Sequence, residues 1–221
     1  MKIFLDTADV SLIEEAYETG LVDGVTTNPT LILKSGRSLI EVTRELSSKF
    51  PLMESISAEV VADTYEEMCS QARQYYSIAP HVTIKLPCTV EGLKACKQLS
   101  STGILVNVTL VFSVAQAILA AKAGATYISP FVGRLDDAGT DGAERISEIV
   151  SAIKTHGYPT KVLSASIRSV SHVEQCALSG TDVVTMPVQY FWEMYEHILT
   201  DQGLDKFNKD WENALANQKE E

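Results

Sequence analysis

The stretch HVTIKLP, residues 81–87, decides how this chain is read. Val82, Ile84 and Leu86 alternate with His81, Thr83 and Lys85, and the pattern stops at Pro87. A period of two with a proline at its end marks a strand with two unlike faces. A lysine on such a strand ordinarily marks a sheet edge exposed to water. A closed sheet has no edge, and a lysine on one of its strands needs a chemical reason to be there. What Lys85 does therefore depends on which kind of sheet holds it.

Outward from this stretch the same unit repeats. KIFLD (2–6) precedes a helical spacing of Val10, Ile13 and Tyr17. DGVTTN (23–28) precedes a helix predicted from Pro29, a residue suited to a first helical position, to about Phe50. LMESISAEV (52–60) is followed by a charged helix around 63–77, and HVTIKL (81–86) by a helix at about 90–101. GILVNVTL (103–110) leads into the Ala-rich VAQAILAAKAGA, and ATYISPF (125–131) into a Gly/Asp loop and a helix at about 142–156. TKVLSAS (160–166) precedes a helix at about 169–179, and TDVVTM (181–186) precedes helical segments to the end. The last of these, about 202–221, is read as a C-terminal helix whose acidic tail QKEE frays.

Eight strands, each followed by a helix, imply a parallel sheet with crossover connections. Eight units point to an α/β fold: a (β/α)8 TIM barrel forming one domain over residues 1–221. A doubly wound open sheet is the alternative, but no GxGxxG follows the first strand and no GxxxxGK[ST] occurs.

Composition narrows the function. A hydrophobic fraction of 45% and a charged fraction of 21% are ordinary for a globular chain. No apolar run reaches the ~18 residues of a membrane span. In MKIFLDTADV an acid, Asp6, arrives before a signal-peptide core can form, so a cytoplasmic protein without membrane partners is expected. The net charge of −11 argues against a nucleic-acid partner, which needs a basic face, but leaves room for a small anion held by a few cations. Cys69, Cys88, Cys96 and Cys176 form no CxxC, and His81, His156, His172 and His197 form no HExxH, so no metal is expected. Isolated thiols of this kind are ordinarily small buried hydrophobes.

In a barrel the working surface is the carboxyl end of the strands. Polar residues recur there: Asp6, Thr26 with Asn28, Glu59, Lys85, Asn107 with Thr109, Ser129 and Ser166. Alternate residues share a face, and the polar ones fall on one parity: Ser55, Ser57 and Glu59; Thr83 and Lys85; Asn107 and Thr109; Ser129 and Phe131. The other parity is apolar, as in Ile3 and Leu5, Val82, Ile84 and Leu86, Val106 and Val108. One face should meet the outer helices and the other should line the barrel mouth. Any single Thr, Asn or Asp here would pass for a turn former or helix cap, and a single lysine for one that snorkels to water. Repetition at nearly every strand favours a functional ring, because a barrel interior is normally filled by branched apolar side chains.

A neutral lysine amine attacks a carbonyl to form a Schiff base, an electron sink for carbon–carbon cleavage. Burial favours the neutral amine, whereas neighbouring carboxylates such as Asp6 and Glu59 favour the ammonium. Cleavage through an imine also needs a group to move the proton of a substrate hydroxyl, and Asp6 and Glu59 are the candidates. The chemistry requires no cofactor.

DGVTTNPTLI (23–32), VTIKLP (82–87), NVTLVFS (107–113), ISPFVGRLDD (128–137) and SASIRS (164–169) together resemble the transaldolase family over nearly the whole chain. The length resembles the small subfamily, which also holds fructose 6-phosphate aldolases. The resemblance implies a (β/α)8 barrel, a homo-oligomer (pentamer or decamer), and dihydroxyacetone transfer between sugar phosphates such as those of the pentose phosphate pathway. It implies Lys85 as the Schiff-base lysine, Asp6 as general acid/base, and Glu59 with Thr109 as holders of a catalytic water. Asn28, Asn107 and Ser129 would bind the dihydroxyacetone unit, with Thr26 and Phe131 in the same site. Arg134, Ser166 and Arg168 would bind phosphate, which suits the bidentate guanidinium; a surface ion pair with Asp136 or Asp137 is the plainer reading of Arg134. Fructose 6-phosphate aldolases typically carry Gln and Tyr where this chain has Glu59 and Phe131, so the resemblance favours transfer. The alternatives are an aldolase that releases dihydroxyacetone, and a non-catalytic barrel that only binds sugar phosphates.

Overall fold

The computed structural model describes residues 1–218. Eight parallel strands close into a barrel in chain order: β1 (Lys2–Asp6), β2 (Gly24–Thr26), β3 (Ser55–Glu59), β4 (Val82–Pro87), β5 (Val106–Val111), β6 (Tyr127–Pro130), β7 (Lys161–Ser164) and β8 (Val183–Met186). The last strand pairs with the first, Phe4 opposite Thr185 and Leu5 opposite Met186. Around them run α1 (Val10–Tyr17), α2 (Pro29–Ser35), α3 (Leu39–Lys49), α4 (Tyr65–Tyr76), α5 (Val90–Ser100), α6 (Val114–Lys122), α7 (Val132–Asp137), α8 (Gly142–Thr155), α9 (Val170–Leu178), α10 (Val188–Glu193) and α11 (Ile198–Gln218). The closed parallel barrel with alternating helices is the TIM-barrel architecture, and the open-sheet alternative falls.

Short polar residues start most of the helices. The side chains of Asp9, Ser38, Thr64, Thr89, Ser113, Asp141 and Ser169 each accept a backbone N–H of the first turn, which satisfies donors that a helix otherwise leaves open. Three expectations are corrected. The helix expected from Pro29 to about Phe50 is two helices: Gly36, at φ 67°, ends α2 in the left-handed region, and Ser38 with Glu41 opens α3 through a capping box. The Gly/Asp loop after the sixth strand contains the short helix α7. The C-terminal helix begins at Ile198, not about 202. The fraying expected of the acidic tail falls on residues 219–221, outside the described residues, and on Gln218.

The parity of the strands is realised. Leu5, Val25, Ile56, Val82, Ile84, Leu86, Val106, Val108, Ile128, Val162 and Val184 pack outward against the helices in one apolar cluster. Each such fully buried side chain contributes about 1.5–3 kcal/mol. Inward, Phe4, Tyr127, Leu163 and Val183 form a second, small cluster near the amino ends of the strands. Gly24 makes room for it: a Cβ there would lie 2.7 Å from the Phe4 ring and 2.7 Å from the Ser55 carbonyl oxygen. Below this plug, Glu54 accepts from Lys161 at 2.6 Å and from the Tyr127 hydroxyl at 2.7 Å. The amino end is thus filled and tied shut. Towards the carboxyl end the interior turns polar.

Candidate active site

Glu59 and Lys85 are register partners on β3 and β4 and both point inward. Lys85 Nζ lies 2.9 Å from Glu59 Oε2 and donates to the Thr27 carbonyl oxygen at 3.1 Å. Lys85 is only 5% exposed, so the edge reading of this lysine is excluded. A buried lysine head group needs polar partners, and Glu59 and the Thr27 carbonyl supply two.

Asp6, at the end of β1, accepts a hydrogen bond from Thr26 Oγ1 at 2.8 Å. Burial pushes the Asp6 carboxyl above its ordinary range, and Lys85 and the Thr26 hydroxyl draw it only part of the way back. Thr26 Oγ1 also lies 2.7 Å from Thr185 Oγ1 on β8.

On the opposite wall, Ser129 Oγ donates to Asn107 Oδ1 at 2.6 Å, and Asn107 Nδ2 reaches Ser57 Oγ at 3.5 Å. Asn107 is fully buried behind Ser129. Beside them the β5–β6 register shifts between Val108 and Val111. Leu110 sits in the shift at φ 59°, and Ser166 beyond β7 at φ 60°. A left-handed backbone costs a residue with a Cβ about 1–2 kcal/mol, and such strain gathers at functional sites. Thr109 Oγ1 is buried and has no hydrogen-bond partner among the described residues.

Asn28 is both cap and wall. Its side-chain oxygen accepts from Leu31 N at 3.0 Å and starts α2, which leaves its amide N–H groups available. The Arg134 guanidinium lies 4.8 Å above the Phe131 ring, and Phe131 meets Phe112 edge-on at 5.7 Å. The ion pair with a neighbouring aspartate belongs to Arg168 instead: its two terminal nitrogens grip Asp137, with Nη2 at 2.6 Å. Asp136 is taken by Gly142 N–H and His172. Gly133 lets the Arg168 stem cross α7, since a Cβ there would lie 2.7 Å from Arg168 Nε and 2.5 Å from the Ser166 carbonyl oxygen.

Asp6, Thr26, Asn28, Glu59, Lys85, Thr109, Ser129, Phe131, Arg134 and Ser166 all line one cavity of about 440 Å3 at the carboxyl mouth. Of the residues singled out in the sequence, Asn107 stands one layer behind the wall and Arg168 on the rim, turned to Asp137. Thr185, Leu110, Ala165 and the Pro29–Leu31 turn also line the cavity and were not singled out. Thr185 was detectable as the inward-parity hydroxyl of TDVVTM. Leu110 had no local signal, since neither its type nor its neighbours mark a left-handed residue.

A buried lysine paired with one carboxylate, with a second carboxylate in the same cavity at the mouth of a TIM barrel and a cationic rim, has the parts of an imine-forming enzyme for phosphorylated carbonyl compounds. Comparison with known proteins gives the family. The model of the family "Transaldolase/Fructose-6-phosphate aldolase" matches residues 3–218, and the chain belongs to that family. A probable transaldolase of Brucella anthropi is 55% identical over 213 residues, covering 96% of each chain. One of Paracoccus denitrificans is 53% identical over 212 residues, again covering 96% of each. Among solved structures, 3-hexulose-6-phosphate synthase from Salmonella typhimurium superposes with a TM-score of 0.61 at 18% identity, over 85% of this chain and 89% of its own; this likeness concerns the fold alone. No helix among the described residues is long and apolar enough to cross a membrane.

Proposed function

We propose that the protein is a transaldolase, a transferase that moves a dihydroxyacetone unit between sugar phosphates through an imine on Lys85, and that residues 1–221 act as one catalytic domain in the cytoplasm. The observation that carries this reading is the burial of Lys85 against Glu59 at 2.9 Å, in a cavity shared with Asp6 and Arg134. The Lys85 amine attacks the C2 carbonyl of a ketose phosphate, and water leaves as the imine forms. Asp6 takes the proton of the C4 hydroxyl; the C3–C4 bond breaks, and its electron pair passes into the imine to give an enamine. An aldose phosphate departs. The enamine adds to the aldehyde carbon of a second aldose phosphate, Asp6 returns the proton, and water releases the product.

Glu59 and Thr109 hold the water that exchanges protons with Lys85; the partnerless hydroxyl of Thr109 supports that role. Asn28 and Ser129 bind the three-carbon unit, Asn107 acts on it through its 2.6 Å hydrogen bond with Ser129, and Thr26 and Phe131 shape the pocket. Arg134 and Ser166 take the phosphate, joined by Arg168 once it exchanges Asp137 for the ligand. Every described side chain of α11 except Gly203, which is half-buried, is exposed, and Leu204, Phe207, Trp211 and Leu215 lie on one stripe. A helix with such a stripe needs an apolar partner, which supports assembly into a homo-oligomer; removing residues 198–221 should lower the mass seen by light scattering.

Borohydride reduction with fructose 6-phosphate, followed by peptide mapping, tests the proposal. A three-carbon adduct on Lys85, with its transfer to erythrose 4-phosphate before reduction, is expected. An unmodified Lys85, or an adduct on another lysine, overturns the assignment. A barrel that only binds sugar phosphates gives no adduct at all.

A further inference from the structure

Two threonines from non-adjacent strands meet at the floor of the cavity. Thr26 on β2 and Thr185 on β8 flank β1, which carries Asp6 between them. Both are buried, at 2% and 3% exposure, and their hydroxyl oxygens lie 2.7 Å apart. Thr26 Oγ1 is also 2.8 Å from Asp6 Oδ1. A threonine hydroxyl carries one hydrogen, and an ionised carboxylate can only accept. The hydrogen of Thr26 therefore belongs to Asp6, and the contact between the threonines is made by the hydrogen of Thr185. The chain has one direction: Thr185 to Thr26 to Asp6 Oδ1. Asp6 Oδ2 receives no hydrogen bond among the described residues, and Asp6 lines the cavity, so this oxygen is left to a ligand.

We propose that Thr185 is a positioning residue for proton transfer: through Thr26 it saturates Oδ1 of Asp6 and reserves Oδ2 for the hydroxyl proton of the substrate. The inference rests on Asp6 being the group that takes this proton. Without a hydroxyl at 185, Thr26 still donates to Asp6 Oδ1 but accepts no hydrogen bond from β8. With Thr185 donating, Thr26 accepts one, and a hydroxyl that accepts one bond is a stronger donor of the next. When the proton reaches Oδ2, Oδ1 is still an acceptor, so neither hydroxyl turns during the step; dipoles that need no reorganisation are the effective ones. The other charged groups lining the cavity are Lys85 on β4, Glu59 on β3 and Arg134 on α7. None of them donates to Asp6, so the threonine pair is the protein's hydrogen-bond control of that carboxylate.

The test compares Thr185→Val, which keeps the shape and loses the donor, with Thr185→Ser, which keeps the donor. Transfer is followed against pH, and the protonated-carboxyl infrared band is titrated without substrate, assigned by its loss in Asp6→Asn. In Thr185→Val, kcat should fall about 3- to 10-fold, with KM within about twofold. The acid limb of kcat/KM and the infrared midpoint should both move to higher pH, because weaker donation favours the protonated carboxyl. Thr185→Ser should match the parent in all of these. A Thr185→Val enzyme with lowered kcat but the parent's acid limb and infrared midpoint refutes the proposal, as does a Thr185→Ser enzyme equally impaired. If Thr185→Val does not fold, Thr185→Ala makes the same comparison. If the parent shows no transfer, the proposed function fails on its own, and the infrared titration still decides what Thr185 does to Asp6.

Discussion

Asp6 should hold its activity at the expense of stability, and Asp6→Asn should separate the two. The substitution removes a charge and little else. An oxygen remains for the Thr26 hydroxyl, now 2.8 Å away, and Lys85 keeps its 2.9 Å pair with Glu59. Burial raises the Asp6 carboxyl, and the attraction of Lys85 and the bond from Thr26 do not cancel the rise. The sign follows. A carboxyl raised in the folded state keeps its proton to higher pH than in the unfolded chain, where it lets go near 3.9. Between those two values the folded state binds more protons, so the contribution of Asp6 to stability falls as pH rises through that window. At neutral pH the charged Asp6 is a net cost. Asp6→Asn should therefore be more stable than the parent at pH 7 by about 1 kcal/mol, the usual scale when a strained site is relieved. In a chain of 221 residues that is about 2–4 °C in Tm.

The assay is denaturant unfolding of both proteins from pH 4 to 8 at one protomer concentration, since assembly would shift both curves. The difference should vanish towards the acid end and grow as Asp6 ionises, while transfer activity falls about 10²- to 10⁴-fold, the range for a lost acid/base group. A variant no more stable than the parent at pH 7, or a difference independent of pH, would show that the charged Asp6 costs the fold nothing.

Arg134→Ala should raise KM for phosphorylated ketoses by roughly 10- to 150-fold, the equivalent of about 1.5–3 kcal/mol for a charge-assisted contact, and leave unphosphorylated ketoses nearly unchanged; Arg168→Ala should do less, because Arg168 already holds Asp137. Equal discrimination by both variants and the parent would move the phosphate elsewhere. Phe131→Tyr, alone or with Glu59→Gln, should raise the dihydroxyacetone released per acceptor converted, because a hydroxyl beside the enamine can order water or lend a proton where a phenyl ring cannot. An unchanged ratio would show that these side chains do not set the branch. Gly24→Ala should cost about 1–3 kcal/mol by overpacking, since one of its two 2.7 Å contacts is the Ser55 backbone, which cannot step aside; a midpoint equal to the parent's in urea would count against that packing.

The barrel and most of its mouth can be read from the linear chain. Strand period and strand–helix alternation are local properties, and a parity that puts Glu59, Lys85, Asn107 and Ser129 on one face needs no knowledge of the partner strand. The linear chain did not determine where helices break when no Pro intervenes, as at Gly36, nor the left-handed backbone at Leu110 and Ser166, which follows from how β5 and the β7 loop fit their neighbours. Pairings across the barrel were equally hidden. That Asp137 falls to Arg168 rather than to Arg134, and that Thr185 reaches Thr26 over β1, depend on distances between residues 31 and 159 positions apart in the chain. Pairing β6 with β7 sets the first distance; closing the sheet sets the second, because it brings β8 beside β1 and makes one interior of strand ends that no stretch of sequence contains together.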